Sequence, residues 1–361
     1  MKKTLATATS ILAAVLAYLL LWPVSIDPVA WEAPRDLGLV DPFESNARLR
    51  RARAIGLGAH EGPEDVTAGH DGRLYATSKD GFLLQIDGYG NVAEFAQVGG
   101  RPLGLETDRD GSFITANAYL GIQRIFPDGS VTTLLSEVDG QPLVYADDLA
   151  IASDGTVYFS EASTRFGASQ NAGTYESSLL DIMEHGASGQ VIAFSPDTGD
   201  AHVIIDDLNF ANGVAVSADQ TFLLIAETGS YRILRHWLQG SRSGETEVLI
   251  NNLPGFPDNI NNGLHGRFWI GLVSPRNALL DRFSDQPLVR KIVQRLPAFL
   301  RPKAKPSSHV IAINGDGEVL MNLQDPAARF PFLTGVYETR DALYLTSLFG
   351  NRLAKLDKDD L

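Results

Sequence analysis

The chain has 361 residues, no cysteine and a formal net charge of −14 at pH 7. The lack of cysteine excludes disulfides and thiolate metal sites, and the acidic balance argues against a nucleic-acid partner, because phosphate neutralisation needs clustered Lys and Arg. The length is ample for a buried core, and ring-shaped folds of this size form one domain rather than two.

The first predicted element, residues 1–26, is a membrane anchor. Lys2 and Lys3 precede an uncharged run from Thr4 to Ile26 that is rich in Leu and Ala. At about 1.5 Å rise per residue, a helix of this length spans the ~30 Å hydrocarbon core of a bilayer. The run is longer than the apolar core of a signal peptide, and no small-residue cleavage site follows Pro23. A signal-anchor is therefore favoured, and secretion after cleavage is the alternative.

The basic end of this anchor predicts a single-pass topology with the N-terminus in the cytoplasm and the rest of the protein exported, periplasmic or extracytoplasmic. Residues 27–46 contain several prolines and are predicted to be a linker that acts as a spacer. The remaining residues, 47–361, are predicted to form one domain.

That domain is built from a repeated unit. Six times a turn leads into a β-like run, and a second, more apolar run follows; the turns begin at Asp71, Asp110, Asp154, Asp219, His265 and Asp341. A repeat of roughly 40 residues without helical periodicity between the strands predicts a propeller of four-stranded blades. The predicted fold class is all-β: a six-bladed β-propeller with an N-terminal transmembrane helix and a short helical insertion in blade five.

The sixth repeat runs out of chain at Leu361 before its outer strand. We expect the segment Ala47–Leu57, with the sequence ARLRRARAIGL, to supply that strand and close the ring. Closure would remove the exposed edges that a partial blade leaves.

An oxygen-bearing side chain stands at the same point of four repeats, where the first β-like run begins. These residues are Glu64 in HEGPEDV, Asp147 in YADDLAI, Asn212 in FANGVAV and Asp258 in FPDNINN. The repetition brings four oxygens to one place, and oxygen donors without thiols or clustered histidines select a hard cation, for which Ca²⁺ suits separate strands better than Mg²⁺ or Zn²⁺. The alternative is that these residues only cap turns, as Asp and Asn often do.

Two insertions interrupt the repeats. Thr164–Gly189 is predicted to contain a short helix, and Ser274–Pro306 carries apolar residues at near-helical spacing. Residues 276–305 hold eight Lys or Arg against two Asp, so this segment is basic within an acidic protein. Two interpretations stay open: a helix packed on the rim of the propeller with its charges solvated, which is favoured, or a basic amphipathic helix lying on an anionic membrane.

Several ordered motifs carry a resemblance to a known family. GPED, RPLGLETD with ANAYLGI, ADDLAIASDGTVYFSEAS, FANGVAVS and LPGFPDNI with GRFWIGL occur in this order from about Leu57 onwards. Together they resemble the strictosidine synthase-like branch of the six-bladed, calcium-dependent propellers. The wider group contains paraoxonases, gluconolactonases of the senescence marker protein type and diisopropyl fluorophosphatase.

The resemblance implies calcium ligands at Glu64, Asp147, Asn212 and Asp258. It also exposes one departure, because the family usually has Asn-Asp where this chain has Asp147-Asp148. A carboxylate thus replaces the amide that the resemblance implies as a ligand, which strengthens the attraction for a cation. Among the neighbours of the ligands, Asn259 is a further candidate within reach.

Catalytic residues are harder to derive. Leu103 stands where a paraoxonase-type histidine is expected, and the glutamate with which strictosidine synthase condenses an amine and an aldehyde has no counterpart, since Glu338 is too far along the chain. The gluconolactonase-like pattern implies acids near the metal, so Asp258 is predicted as ligand and general base and Asp148 as a second acid. Candidate aromatic residues for an apolar pocket, of which we expect only a minority to line it, are Tyr119, Phe166, Tyr175, Phe256, Phe332 and Phe349.

These observations predict a membrane-anchored, calcium-dependent hydrolase of carboxylic esters or lactones, of the arylesterase or lactonase type, in which a metal-polarised carbonyl is attacked by activated water. The membrane contacts are the anchor and, in one interpretation, residues 276–305. The alternative is a non-catalytic propeller whose calcium is structural and whose top face binds a protein or a lipid. A sugar-lactone hydrolase is a third hypothesis.

Overall fold

The computed structural model describes residues 2–361 and begins with one long helix. Helix α1 covers Lys2–Leu21, and among residues 2–361 the segment Lys3–Leu21 is the one helical stretch long and apolar enough to cross a membrane, with a mean hydropathy of 2.0 and no burial against the protein. A signal sequence at an N-terminus shares these properties. The helix ends before Ile26 because Pro23, two residues after Leu21, cannot continue it.

The remainder is dominated by antiparallel β-strands in four-stranded sheets. A short first strand, β1 (Arg53–Gly56), follows a 3₁₀ turn at Arg48–Arg51. The next sheets are β2 (Val66–Ala68), β3 (Leu74–Thr77), β4 (Phe82–Ile86) and β5 (Val92–Gln97), then β6 (Pro102–Thr107), β7 (Phe113–Asn117), β8 (Gly121–Ile125) and β9 (Val131–Leu135). A two-stranded hairpin, β10 (Glu137–Val138) and β11 (Gln141–Pro142), precedes the third sheet.

The third sheet contains β12 (Ala146–Ile151), β13 (Val157–Glu161), β14 (Gly189–Phe194) and β15 (Ala201–Leu208), and the fourth contains β16 (Ala211–Val216), β17 (Phe222–Glu227), β18 (Arg232–Trp237) and β19 (Thr246–Ile250). The fifth is formed by β20 (Gly255–Asn262), β21 (Phe268–Pro275), β22 (Ser308–Ile313) and β23 (Val319–Asp325). The last three strands are β24 (Leu333–Glu338), β25 (Ala342–Ser347) and β26 (Arg352–Asp357). Each four-stranded sheet is one blade.

The blades form a closed ring, which confirms the predicted fold class. The innermost strands β2, β6, β12, β16, β20 and β24 each contact the next in order, and β24 contacts β2. The sixth blade takes its outer strand from the N-terminal side, as predicted: β1 pairs with β26 in antiparallel register, with Ile55 opposite Leu353. Apolar side chains fill the spaces between blades; one cluster joins Trp269 and Val310 of blade five to Val336 and Leu345 of blade six.

The two insertions become helices at the same end of the ring. Both connect the second and third strands of their blades: α2 (Thr174–Glu184) joins β13 to β14, and α3 (Ala278–Arg282) and α4 (Pro287–Arg295) join β21 to β22. In an antiparallel blade this connection lies at the end where the innermost strand begins. The helices therefore stand above the predicted ligands.

Residues 27–46 differ from the predicted spacer, because they lie along the propeller and bind it. Val29 N donates to Glu184 O at 2.9 Å, Trp31 N donates to Ser284 O at 3.1 Å, and the ring of Trp31 stacks on His185 with 3.9 Å between centroids. Further along, Asn322 Nδ2 donates to Glu44 O at 2.8 Å. An extended segment gains fixed partners for its backbone in this way, so it has no freedom to act as a tether.

The basic insertion packs on the rim, but its charges are not all solvated as the favoured interpretation expected. Arg276, Arg290 and Arg295 are 6%, 2% and 7% exposed. The Arg290 guanidinium donates to Met183 O at 3.0 Å and Ser284 O at 2.9 Å, and it also bonds Val29 O. Arg290 and Arg295 serve main-chain carbonyls that would otherwise lack donors, whereas Arg276 pairs with the Asp281 carboxylate at 3.0 Å and also bonds Pro34 O.

Candidate calcium and active site

The four predicted metal ligands line a single cavity at the centre of one end of the ring. Glu64, Asp147, Asn212 and Asp258 are 3%, 4%, 4% and 6% exposed, and all four border the same space of about 840 Å³, open solvent at its mouth included. They come from blades one, three, four and five. The structure thus brings together residues up to about two hundred positions apart, as the repeat predicted.

Local backbone irregularities orient these side chains toward the cavity. In five of the six innermost strands the register with the second strand shifts by one residue, and in blades three, four and five the shift lies at Asp147, Asn212 and Asp258. Such a β-bulge redirects the side chain of the extra residue. Glu64 reaches the cavity differently, because it precedes the start of β2 at Val66.

A glycine after the bulge allows the blades to approach one another closely. A Cβ atom on Gly213, which follows Asn212, would lie 2.3 Å from Ile260 N and 2.5 Å from Asp258 O of the next blade. No side chain fits there, so Gly213 is the residue that permits β16 and β20 to bring Asn212 and Asp258 together.

The cavity concentrates negative charge in a dry place. Burial raises the pKa of Asp147 well above its usual value, and the charges of Glu64 and Asp258 raise it further. Burial and the charge of Glu64 likewise raise the pKa of Asp258, and burial raises that of Glu64. Three carboxyl groups in such an environment share a cation or give up their charge.

Hydrogen bonding leaves the inward atoms of the site free. Among residues 2–361, no donor bonds the Asp147 carboxylate, and the buried Oδ1 of Asn212 has no partner. Within the same residues no three His, Asp or Glu side chains converge into a ready metal cluster, so the carboxylates surround the cavity instead of meeting at a point. Three carboxylates and an unbonded amide oxygen are a donor set that suits Ca²⁺.

One buried cation lies beside these acids and was not singled out from the sequence. Arg101 is 2% exposed, donates from Nη1 to Gly62 O at 2.9 Å, and its charge acts on both Glu64 and Asp147. Its Nε has no hydrogen-bond partner among residues 2–361. The signal in the sequence was its place in GRPLG, at the entry to the innermost strand of blade two.

Asp148, predicted as a catalytic acid, has a different position. It does not border the cavity; Leu149 N donates to its Oδ1 at 2.8 Å and Val214 N of the next blade donates to its Oδ2 at 2.9 Å. Asp65 makes the equivalent link between blades one and two, because its carboxylate accepts from Val66 N and from Leu105 N. Both oxygens of Asp148 are occupied, so the structure supports a role in joining blades and not in proton transfer.

The upper walls of the cavity are apolar and come mainly from the insertions. Helix α2 presents one face, with Tyr175, Leu179 and Met183, and Pro302–Ala304 lies opposite. Tyr175 Oη accepts from Ala304 N at 3.1 Å, which ties the two insertions together over the site. The sequence did not predict that the two insertions cover the cavity, because the helical periodicity of Thr174–Glu184 indicates a helix but not what the helix packs over.

Of the six aromatic candidates, Tyr175 and Phe256 line the cavity. Phe349 stacks edge-on against Tyr175 and against Phe332, with 5.2 Å between centroids in each pair, so these rings support the wall from behind. Phe166 packs with Ile26 and Met183. Tyr145 and Phe210, which do line the cavity, could have been found from their places directly before the ligands in YADD and FANG.

No histidine lines the cavity among residues 2–361. His60, the histidine nearest a ligand in sequence, contacts Asp80 Oδ2 at 2.8 Å instead. Glu338 lies away from the cavity as well, where it accepts from Trp269 Nε1 at 2.8 Å. The ionisable residues that face the cavity are therefore Glu64, Asp147, Asp258, Tyr145, Tyr175 and Lys303.

A six-bladed β-propeller with acids and an amide around a cavity at one end of the ring defines the class of this protein. The family model for the strictosidine synthase-like N-terminal region matches residues 41–86, and the model for strictosidine synthase matches residues 147–241. Strictosidine synthase-like protein 6 of Arabidopsis thaliana is 31% identical over 326 residues, which cover 88% of this chain and 85% of that protein. The chain belongs to the strictosidine synthase-like family.

Adipocyte plasma membrane-associated proteins are also relatives. The protein of Salmo salar is 30% identical over 356 residues, covering 90% of this chain and 83% of the relative. Among solved structures, a gluconolactonase from Xanthomonas campestris aligns with a TM-score of 0.63 at 18% identity, over 92% of this chain and 98% of that one. The calcium-binding protein regucalcin from Agrobacterium tumefaciens aligns with a TM-score of 0.57 at 13% identity, over 84% and 92%. At identities of 18% and 13%, these similarities show a shared fold alone.

Proposed function

We propose that this protein is a calcium-dependent hydrolase of carboxylic esters or lactones that is anchored to a membrane by α1. The observation that carries the proposal is a pair of oxygen groups without hydrogen-bond donors among residues 2–361, the Asp147 carboxylate and Asn212 Oδ1, at the floor of a cavity whose upper walls are apolar. The floor fits a hard cation, and the walls fit an apolar substrate.

Glu64, Asp147, Asn212 and Asp258 would hold the calcium ion. When bound, the ion supplies positive charge that polarises a carbonyl oxygen and stabilises the negative charge of the transition state. The Asp147 carboxylate strengthens the attraction for a dication relative to the amide usual in the family.

Asp258 is the group we assign as general base. Asn212 Nδ2 donates to its Oδ1 at 2.7 Å and fixes the carboxylate, while no donor among residues 2–361 bonds its Oδ2. That oxygen is free to accept a proton from water.

The walls suggest the class of substrate. Leu103, Leu179, Met183 and Phe256 give a ligand few hydrogen-bond partners above the acidic floor. Aryl esters and hydrophobic lactones match this division better than sugar lactones, whose hydroxyl groups would lose water without replacement. A gluconolactonase among the structural neighbours keeps sugar lactones in the test panel.

Membrane anchoring is supported by α1 and by relatives whose name associates them with the plasma membrane. Lys2 and Lys3 favour an N-terminus in the cytoplasm, with the propeller on the opposite side. The intact mass of the purified native protein tests retention of the anchor, since cleavage would remove more than twenty residues.

The decisive experiment is hydrolysis of a panel of aryl esters, aliphatic lactones and sugar lactones by the full chain in detergent, with calcium and with a chelator. Asp258→Asn keeps the size of the side chain but removes the base and one ligand charge, so kcat/KM at saturating calcium is expected to fall about 10²-fold or more. Asp154→Asn, the same change on an exposed turn, is the matched control.

Calcium-dependent turnover that is lost in Asp258→Asn but kept in Asp154→Asn supports the proposal. A chain that binds calcium, gains thermal stability from it and hydrolyses nothing in the panel would contradict it. That result would favour a non-catalytic propeller whose top face binds a partner.

A further inference from the structure

The exit of α1 is fixed to the propeller by one buried arginine. Arg295 of α4 donates from Nε to Trp22 O at 2.6 Å and from Nη1 to Leu19 O at 2.9 Å, while Tyr18 Oη donates to Arg295 O at 3.0 Å. A cation at the last carbonyls of a helix satisfies them and complements the helix dipole. The end of α1 and the end of α4 thus form one unit.

Exposed apolar side chains surround this junction. Phe299 is 78% exposed and Leu300 is 55% exposed, both in the 3₁₀ turn Ala298–Leu300 that follows α4, and Trp22 at the end of α1 is 61% exposed. We name these three residues the apolar tip. A cluster of large apolar side chains in water is costly, and aromatic residues at the end of a membrane helix are typical of the lipid–water interface.

Two crevices lie between this junction and the acidic cavity, and they share lining residues with each other and with it. The first, at the end of α1, is lined by Trp22, Gln294 and Arg301. Gln294 and Arg301 also border the second, which runs between α2 and the segment after α4. The second shares Tyr175, Leu179, Met183, Pro302 and Lys303 with the acidic cavity itself.

The charges beside this path are mainly positive, and Glu176 is the one acid among residues 2–361 that lines the second crevice. Lys303 is exposed at the point where the second crevice meets the cavity, and Lys305 and Arg282 of the same insertion are exposed too. Cations with apolar neighbours suit the phosphate layer of a bilayer, in which the apolar groups reach the acyl chains. The side chains of Arg276, Arg290 and Arg295 do not contribute to this positive surface, because they are buried and bonded inside the protein.

We propose that the apolar tip lies in the bilayer surface next to α1, and that the crevices beside it admit an amphiphilic ligand from the membrane to the acidic cavity. The apolar tip is continuous with the end of α1. The crevices between the tip and the acidic cavity share lining residues with each other and with the cavity. The chemistry of the ligand, an apolar chain with an ester or lactone carbonyl, rests on the proposed function; the docking of the tip does not.

The chain contains no cysteine, so a single introduced cysteine can be labelled without background. Phe299→Cys places an environment-sensitive fluorophore on the tip, and Lys303→Cys places it where crevice and cavity meet. Tyr89→Cys is the control: Tyr89 is 96% exposed on the turn between β4 and β5, at the opposite end of the blades. The full-length variants are reconstituted in vesicles of phosphatidylcholine and phosphatidylglycerol that contain nitroxide-labelled lipid.

We expect the label at position 299 to lose most of its emission to the lipid nitroxide and to resist aqueous iodide, and the label at 89 to behave in the opposite way. At position 303 we expect quenching by nitroxide placed at the headgroup. A label at 299 that iodide quenches as fully as the label at 89 would overturn the docking. Quenching at 299 without quenching at 303 would overturn the route from the membrane.

Neither measurement depends on turnover, so absence of hydrolysis leaves the result readable. Conversely, a water-exposed tip in a chain that hydrolyses esters would remove this inference and leave the proposed function intact.

Discussion

Asn212 and Asp258, on adjacent blades, are joined by a hydrogen bond of 2.7 Å from the amide Nδ2 to the carboxylate Oδ1. Because the amide nitrogen is used in this way, the amide oxygen of Asn212 turns away from Asp258 and has no partner among residues 2–361. One bond therefore orients two side chains at once, and it offers an oxygen from each to the cavity.

Asp147 provides a graded test of calcium binding. Asp147→Asn removes one negative charge but keeps an oxygen donor, whereas Asp147→Ala removes both. Since ligand charge and number set calcium affinity, we expect Kd to rise roughly tenfold for the amide and clearly more for alanine. Isothermal titration with calcium measures Kd for the parent chain and for each variant. Equal values of Kd for all three would show that Asp147 is not a ligand.

Asp148 is predicted to stabilise the fold without binding the ion. Asp148→Ala leaves the amides of Leu149 and Val214 without their acceptor, which costs about 1–3 kcal/mol of unfolding free energy for a buried group. Urea unfolding should show this loss at saturating calcium, with the calcium Kd close to that of the parent. A large change in Kd with no loss of stability would restore Asp148 to the metal site.

Closure of the ring depends on the segment around β1. Leu57 is 1% exposed, packs with Ile86 and Leu353, and donates from its amide to Asn351 O at 2.8 Å. Leu57→Ala is expected to cost about 2–4 kcal/mol through the cavity it leaves. Leu320→Ala, at a site 50% exposed on β23, serves as the control and should have little effect in the same denaturation experiment.

Arg290 and Lys291 are neighbours on α4 with opposite environments. Arg290 is buried and bonded to main-chain carbonyls, whereas Lys291 pairs with Asp27 at 2.6 Å near the surface. Arg290→Met should cost about 2–4 kcal/mol and open residues 27–46 to protease, because carbonyls lose their donors. Lys291→Met should neither lower stability nor open residues 27–46 to protease. Equal cleavage of both variants would show that Arg290 does not hold residues 27–46 on the propeller.

His185 makes stability depend on pH. Burial, together with the charges of Arg290 and Arg232, lowers the pKa of His185 to about 3 from 6.5. The unfolded chain binds this proton more readily, so the stability that His185 contributes above about pH 6.5 is lost as the pH falls. We expect a loss of about 3 kcal/mol between pH 6.5 and 4.

His185→Asn removes the titration and suits the left-handed backbone at this position, where φ is 53°. Its unfolding free energy should fall less steeply over the same range of pH. Parallel curves for the parent chain and the variant would show that His185 titrates normally in the folded protein.

Much of the fold followed from local patterns, because a propeller repeats one short unit and each unit carries its own turn signal. The ring, its closure by β1 and the cavity shared by Glu64, Asp147, Asn212 and Asp258 all derive from that repetition. The place of Asp148 outside the cavity did not, because Asp148 follows another acid and only the bulge in β12 decides which of the two faces the cavity.

The insertions and residues 27–46 show a second limit. Their sequences reveal a basic, amphipathic character, but not that Arg290 and Arg295 turn inward to main-chain carbonyls. Those partners lie up to 276 residues away, and no periodicity relates them. Contacts between unrepeated segments depend on the finished ring, so they were beyond prediction from local patterns.

The pairing of β1 with β26 also sets the order of events during synthesis. The sixth blade joins Ile55 to Leu353, so almost three hundred residues must leave the ribosome before the two strands can meet. Until then the edge of β1 has no partner within its own blade. Folding of this propeller is therefore completed only after β26 has been made, although β1 leaves the ribosome among the first strands.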